Sequence, residues 1–166
     1  MGTKFSTRVW VSVVGIASIF WGSKGYADTV ISVADFGLKP DTRENAVAYV
    51  QKAIEACRGK EPVTLVFPEG RYDFWPQYAH EKNYYETNTY DVFPKRLAML
   101  FEGLHNITVD GNGSQFIMHD RIQPITVENC DGVTLKNFSI DWDIPLTAQA
   151  RVTKVGSDFF EIEINV

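Results

Sequence analysis

Met99-Leu100-Phe101-Glu102, then Ile107-Thr108-Val109, then Phe116: this stretch decides the fold, because its character returns 26 residues further on. Met99 and Phe101 fall on Ile125 and Val127, Glu102 on Glu128, Ile107-Thr108-Val109 on Val133-Thr134-Leu135, and Phe116 on Trp142. Gly111 falls on Asn137, and these two residue types best tolerate a left-handed backbone, so one corner can be kept from unit to unit. A unit of about two dozen residues carrying three short strands cannot bury its apolar face alone, whereas stacking one unit on the next closes a continuous core. The expected fold is therefore mainly β, a right-handed parallel β-helix. An antiparallel sandwich or jelly roll is the alternative arrangement, and it does not require the 26-residue register.

Upstream of the repeat the pattern changes. Ile31 to Gly37 alternates and then turns, which predicts a short strand ending at the glycine. Asp41, with Glu44 three residues on, has the form of a capping box. Beyond it Ala46, Val47, Val50, Ala53, Ile54 and Cys57 recur at three- and four-residue spacing, which predicts one amphipathic helix over about 43–58, ended by Gly59. Val63 to Phe67 follows as a strand before the turn Pro68-Glu69-Gly70. No second helical pattern follows, so this helix is expected to cap the exposed strand edges and apolar end of the first coil.

The first 27 residues carry a different signal. Lys4 and Arg8 precede an apolar run from Val9 to Trp21, and Gly25-Tyr26-Ala27 supplies the small residues of a cleavage site, so residues 1–27 are expected to be a secretory signal and 28–166 the mature domain. The apolar run is shorter than the roughly 20 residues of a spanning helix, so no membrane span is expected after cleavage. Export to the periplasm, the cell surface or the medium follows. Loss of Lys4, Arg8 and Lys24 takes the formal charge from −5 to −8, which disfavours nucleic acid and anionic lipid as partners. Cys57 and Cys130 are the only cysteines, on separate expected elements, and read as two small buried thiols. His80, His105 and His119 are dispersed without zinc-type spacing, so no metal and no cofactor is expected.

Val33-Ala34-Asp35-Phe36-Gly37, the helix from Asp41 to Cys57, and Val66-Phe67-Pro68-Glu69-Gly70-Arg71-Tyr72 together resemble the opening of the pectate-lyase-like β-helix superfamily. More specific are Tyr84-Tyr85-Glu86-Thr87-Asn88-Thr89-Tyr90, Lys95-Arg96-Leu97-Ala98 and Val109-Asp110-Gly111-Asn112-Gly113-Ser114. Phe116-Ile117-Met118-His119, Gln123-Pro124 and Asn137-Phe138-Ser139-Ile140-Asp141-Trp142-Asp143-Ile144-Pro145 follow. In that order these blocks resemble the N-terminal third of bacterial exo-α-1,3-galactosidases, including those acting on the blood-group-B galactose. The resemblance implies an inverting, metal-independent glycoside hydrolase that takes a galactose-terminated glycan. It also implies longer chains, with the catalytic acids in coils beyond Val166.

Within these residues the substrate-binding candidates are Asp141, Trp142, Asp143 and His119. Alternate strand residues share a face, so if Trp142 is core both aspartates point outward, about 6.6 Å apart along the backbone. Sugars are held by carboxylates that accept vicinal hydroxyls and by flat aromatic faces. The plain reading is that the aspartates satisfy backbone amides at the turn before Pro145. The aromatic-rich segment from Tyr72 to Tyr90 interrupts the repeat and is expected either to line a binding face or to fold back over the cap. Glu102 and Glu128, stacked at equivalent places, are expected to be exposed and splayed apart. A polysaccharide lyase of the same fold is the runner-up, weakened by the lack of a basic cluster, and a non-catalytic carbohydrate-binding remnant is a second alternative.

Overall fold

The computed structural model describes residues 29–83 and 93–165; the signal reading and the block Tyr84 to Tyr90 lie outside the described residues. The elements are β1 (Thr29–Ser32), α1 (Val47–Cys57), β2 (Val63–Val66), β3 (Arg71–Phe74), β4 (His80–Lys82), β5 (Lys95–Glu102), β6 (His105–Met118), β7 (Gln123–Glu128), β8 (Asp131–Trp142), β9 (Gln149–Val155) and β10 (Phe160–Asn165). The chain is mainly β with one α-helix among the described residues.

Parallel pairing dominates. β1 pairs β2, β2 pairs β6 and β6 pairs β8, and β3 joins the same sheet against the second half of β6. A second sheet pairs β5 with β7 in parallel, with Met99 opposite Ile125 and Phe101 opposite Val127, the expected 26-residue offset. The offset also holds from His105 opposite Asp131 through Asp110 opposite Lys136. It fails in the third stretch: Phe116 pairs with Ile140 and Met118, not Phe116, pairs with Trp142. The cause is the corner. Gly111-Asn112-Gly113 turns the chain on one layer where Asn137 alone turns it on the next, and Asn112, Gly113 and Asn137 all take the left-handed backbone. Gly111 has no room for a side chain, since a Cβ there would stand 2.7 Å from the Asn137 carbonyl oxygen.

The N-terminal expectations need two corrections. Residues 33–36 form a 3₁₀ turn, not strand, because Ser32 and Asp35 make a reciprocal cap: the Ala34 amide donates to the Ser32 hydroxyl and the Ser32 amide to the Asp35 carboxylate. Gly37, at φ 92°, closes the turn. Asp41 does not cap α1. It sits in the left-handed region at φ 62° and exchanges hydrogen bonds with the backbone of Arg71, and residues 45 and 46 bridge to Asp73 in a sheet-like manner before the helix can begin. The Asn45 side chain instead accepts from the Val47 amide at 3.1 Å. Gly59, at φ 70°, follows the helix as expected.

The core is one cluster. Val47, Val50, Ala53, Ile54 and Cys57 of α1 pack toward Val63, Leu65, Phe67, Phe101, Ile107 and Val109. Burial pushes the Cys57 thiol up to about 11, so it is inert packing, while Cys130 is half-buried and donates to the Phe101 and Glu128 carbonyls. Both thiols are free.

Not all pairing is parallel. β4 runs antiparallel to β5, and β9 and β10 form an antiparallel hairpin. Val127 and Leu135 on the last parallel layer, and Val152, Phe160, Ile162 and Ile164 on the hairpin, are exposed. β7 and β8 each have one edge without a partner among the described strands. Open edges beside apolar side chains recruit other strands. The purified chain is therefore expected to self-associate at micromolar concentration in sedimentation velocity; a monodisperse monomer across that range would contradict it.

Candidate functional site

Three strand ends in register build the site. Phe74 pairs with Met118 and Met118 with Trp142, so the residues that follow, Trp75, His119 and Asp143, stack on successive layers. Backbone bonds lock the stack: His119 donates to the Phe74 carbonyl at 2.9 Å and Asp143 to that of Met118 at 3.0 Å. The Trp75 and His119 rings lie parallel, 6° apart in plane, with centroids 3.9 Å apart. Asn45 holds Trp75 from the other side by accepting its amide at 3.3 Å.

Alternation along β3 supplies the charged partners. Tyr72 and Phe74 point into the core, which sends Arg71 and Asp73 to the opposite face. The Asp73 side chain is 0% exposed, yet fully satisfied: it accepts from Arg71 Nη2 at 2.6 Å and Nε at 3.0 Å, and meets His119 Nε2 at 2.8 Å. Arg71 also reaches Asp143, Nη2 to Oδ1 at 3.0 Å, and the other Asp143 oxygen stands 3.9 Å from His119 Nδ1. Burial works against the charge on Asp73, but the hydrogen bonds from Arg71 and His119 outweigh it and hold the carboxyl below the usual carboxylate range. The same two carboxylates hold the Arg71 proton more firmly than usual.

The structure thus brings together two of the four candidates, Asp143 and His119. Trp142 turns inward against the core, its indole N–H donating to the Asp120 carbonyl at 3.3 Å, and both aspartates are exposed as expected. Asp141 lies apart from the cluster and accepts the amide of Trp142 at 2.8 Å. Arg71 and Asp73 were not legible as site residues. Their partner Asp143 lies 72 residues from Arg71, and the layer offset between β3 and β6 is 44 residues, not 26. A signal did exist: Val63-Thr64-Leu65-Val66 pairs with Ile107-Thr108-Val109-Asp110, which pairs with Val133-Thr134-Leu135-Lys136, so an apolar-Thr-apolar motif recurs on three layers.

Of the aromatic segment, only Tyr72 to Asn83 is described, and neither expected role is tested by it. Phe74 is core, Trp75 joins the cluster, and Tyr78 is exposed. Glu102 and Glu128 are not splayed. They stand opposite each other in the β5–β7 register, and Lys82 of β4 bridges both, at 2.8 and 2.5 Å, replacing the repulsion with attraction. Among the described residues no group of three or more His, Cys, Asp and Glu side chains is arranged to hold a metal ion. No described helix is long and apolar enough to cross a membrane.

Comparison with known proteins shows what the chain is related to. The chain is 63% identical over 139 residues to α-1,3-galactosidase B of Bacteroides thetaiotaomicron, a match covering 84% of this chain and 23% of that protein. The chain is homologous to the α-1,3-galactosidases. It is 36% identical over 136 residues to α-1,3-galactosidase A of Shewanella woodyi, covering 82% of the chain and 22% of the relative. α-1,3-Galactosidase B of Phocaeicola vulgatus is 36% identical over 159 residues, covering 93% of the chain and 25% of the relative. The chain therefore spans about a quarter of the length of the α-1,3-galactosidases it matches. No family model matches it.

Proposed function

We propose that these residues form the cap and first coils of a right-handed parallel β-helix in an exported, inverting exo-α-1,3-galactosidase. The observation that carries the reading is the 63% identity to an α-1,3-galactosidase across 139 residues, 84% of this chain. The parallel ladders β1–β2–β6–β8 and β5–β7 supply the stacked layers that a solenoid needs. Residues 1–27 act as the secretory leader, and the substrate is a glycan ending in α-1,3-linked galactose.

In this reading the cluster binds and orients; it does not transfer the proton. Inversion requires a carboxylic acid that stays protonated to act on the leaving oxygen, together with a carboxylate about 6.5–9.5 Å away that activates water. The carboxyl groups of Asp73, Glu102 and Asp110 are displaced downward, the wrong direction for a general acid. In this reading the acid and base belong to the longer part of the relatives' chains, of which the matched residues span about a quarter. Asp143, half in solvent and aimed by Arg71, accepts hydroxyls from the sugar, and His119, whose Nε2–H donates to Asp73, offers Nδ1 as an acceptor beside it while Trp75 fixes its ring plane. The described segment forms one wall of the site.

A chimera tests this directly. Exchanging the matching 139 residues of the Bacteroides thetaiotaomicron relative for those of this chain should preserve hydrolysis of Gal-α-1,3-Gal, with β-galactose as the first anomer in the NMR spectrum. Asp143→Ala in that chimera should raise KM about tenfold and leave kcat nearly unchanged, the signature of lost ground-state binding. The free 166-residue chain should show no turnover. A folded but inactive chimera would sink the hydrolase reading, release of α-galactose would sink inversion, and turnover by the free chain would return the acids to this segment, with Asp141 and Asp143 the first to mutate.

A further inference from the structure

Away from the cluster, α1 and the segment after β3 enclose an open surface pocket of about 400 Å³ lined by Glu44, Asn45, Ala48, Tyr49, Lys52 and Tyr78. One wall, Tyr78, is unusual twice over. Tyr78 is 74% exposed and also sits in the left-handed backbone region at φ 69°, a conformation that costs free energy in any residue other than glycine. That conformation is held from the start of α1 and the residues just before it. Asn45 Nδ2, ahead of the helix, donates to the Gln77 carbonyl at 2.8 Å, and Gln51 Nε2 of α1 donates to that of Tyr78 at 2.9 Å, so two side chains pin the backbone on either side of the strained residue. A large aromatic ring is thus fixed in solvent at the cost of both strain and exposure, on a rigid support. Nothing in the packing of the core uses it.

The rest of the pocket names the ligand chemistry. Tyr49 gives a second aromatic wall, and Glu44 and Lys52 place an acceptor and a donor at the rim, neither taking part in an ion pair among the described residues. Flat aromatic walls with mixed-sign hydrogen-bonding groups suit a ring that has an apolar face and a hydroxylated rim. They do not suit a phosphate, which would want more than one cation, or a peptide strand, which would want a free sheet edge. The volume lies in the range of small-molecule sites. We propose that this pocket is a second carbohydrate-binding site, in which Tyr78 stacks on the apolar face of a neutral pyranoside while Glu44 and Lys52 engage its hydroxyls. Only the choice of galactose as the first sugar to try rests on the hydrolase reading. The pocket contains none of Arg71, Asp73, His119 and Asp143, Asn45 alone reaching that cluster through Trp75, and it would hold a glycan to the surface without reacting with it.

Saturation-transfer NMR on the full chain, with methyl α-galactopyranoside and methyl α-glucopyranoside as probes, tests the assignment. Saturation is expected to reach the ring protons of the stacked face. Tyr78→Gly should weaken binding about tenfold, equivalent to about 1.4 kcal/mol, while the melting temperature stays level or rises, because glycine takes the left-handed backbone without strain. Tyr78→Trp should keep the affinity by restoring an aromatic face. Transfer to neither sugar, or transfer that survives Tyr78→Gly unchanged, overturns the proposal. Transfer to the glucoside alone leaves the site standing and counts against galactose as the substrate of the enzyme, so the two readings fail separately.

Discussion

Phe116→Ala is expected to remove about 3–5 kcal/mol of folding stability. Phe116 is fully buried and is the ring on which successive layers meet. Its centroid lies 4.8 Å from Phe67, 5.7 Å from Phe74 and 6.2 Å from Tyr72 on the layer before, and 4.8 Å from Phe138 on the layer after. The three earlier pairs are tilted or edge-on and the last is stacked, which are the arrangements that ring quadrupoles favour, each worth about 0.5–1.5 kcal/mol beyond burial. Alanine loses the transfer energy, these pairs and the packing of the void. Phe138 is only half-buried and can lean inward, which sets the result toward the lower end of the range. Against a total of roughly 5–15 kcal/mol the loss is large enough to unfold much of the population. Urea denaturation should show the midpoint falling with the slope unchanged; a midpoint within error of the parent would mean the layers are not held through this ring. Phe116→Leu, which refills most of the volume, should cost markedly less.

The same ring shows what the sequence could and could not reveal. The 26-residue offset placed Phe116 on Trp142, and the true partner is Ile140, because Gly111-Asn112-Gly113 turns on three residues where Asn137 turns on one. A corner can change length without altering the apolar pattern of the strands on either side, so periodicity finds the strands and misplaces the register beyond the corner. α1 was legible from its apolar spacing, but its start was not: Asp41 looks like a helix cap in sequence, whereas the fold spends Asp41 on the backbone of Arg71, and it is Asn45 that accepts from the Val47 amide while also holding Trp75 and Gln77. The candidate site failed for a related reason. Asp143 and His119 were singled out from the local Asp-Trp-Asp alternation and the quoted blocks, not from the repeat, whose offset between their layers is 24 and not 26; Arg71 and Asp73 lie on the layer before, and the residues between β3 and β5 lengthen the offset to 44 and hide it. A buried aspartate on a strand also looks no different in sequence from an exposed one. Only the register shows that Asp73 is covered by Arg71 and His119.

Asp73→Asn is expected to cost about 2–3 kcal/mol and to flatten the acid limb of the stability curve. Removing one partner of a buried ion pair typically costs about 3–5 kcal/mol, because the other charge is left uncompensated. Here the remaining guanidinium is 24% exposed and keeps Asp143, which discounts the loss. The sign with pH follows from the direction of the shift. The folded carboxyl of Asp73 ionises below the range of the unfolded one, near 3.9, so its contribution is full above that value, begins to fade as the unfolded chain takes up its proton, and is gone once pH has fallen through the folded value. The parent should therefore lose stability steeply below about pH 4, and the asparagine variant, already without that contribution, should lose it less steeply over the same window. Equilibrium urea titrations at several pH values measure both. A variant with the parent's stability at pH 7 would show that Asp73 is not held by the cluster, and parallel acid limbs would show that its charge is not what the cluster stabilises. If both expectations hold, the consequence reaches the proposed site. Arg71 and His119 are the groups that aim Asp143, and the same substitution made in the galactosidase chimera should raise KM, since loosening a buried anchor displaces the exposed carboxylate that depends on it.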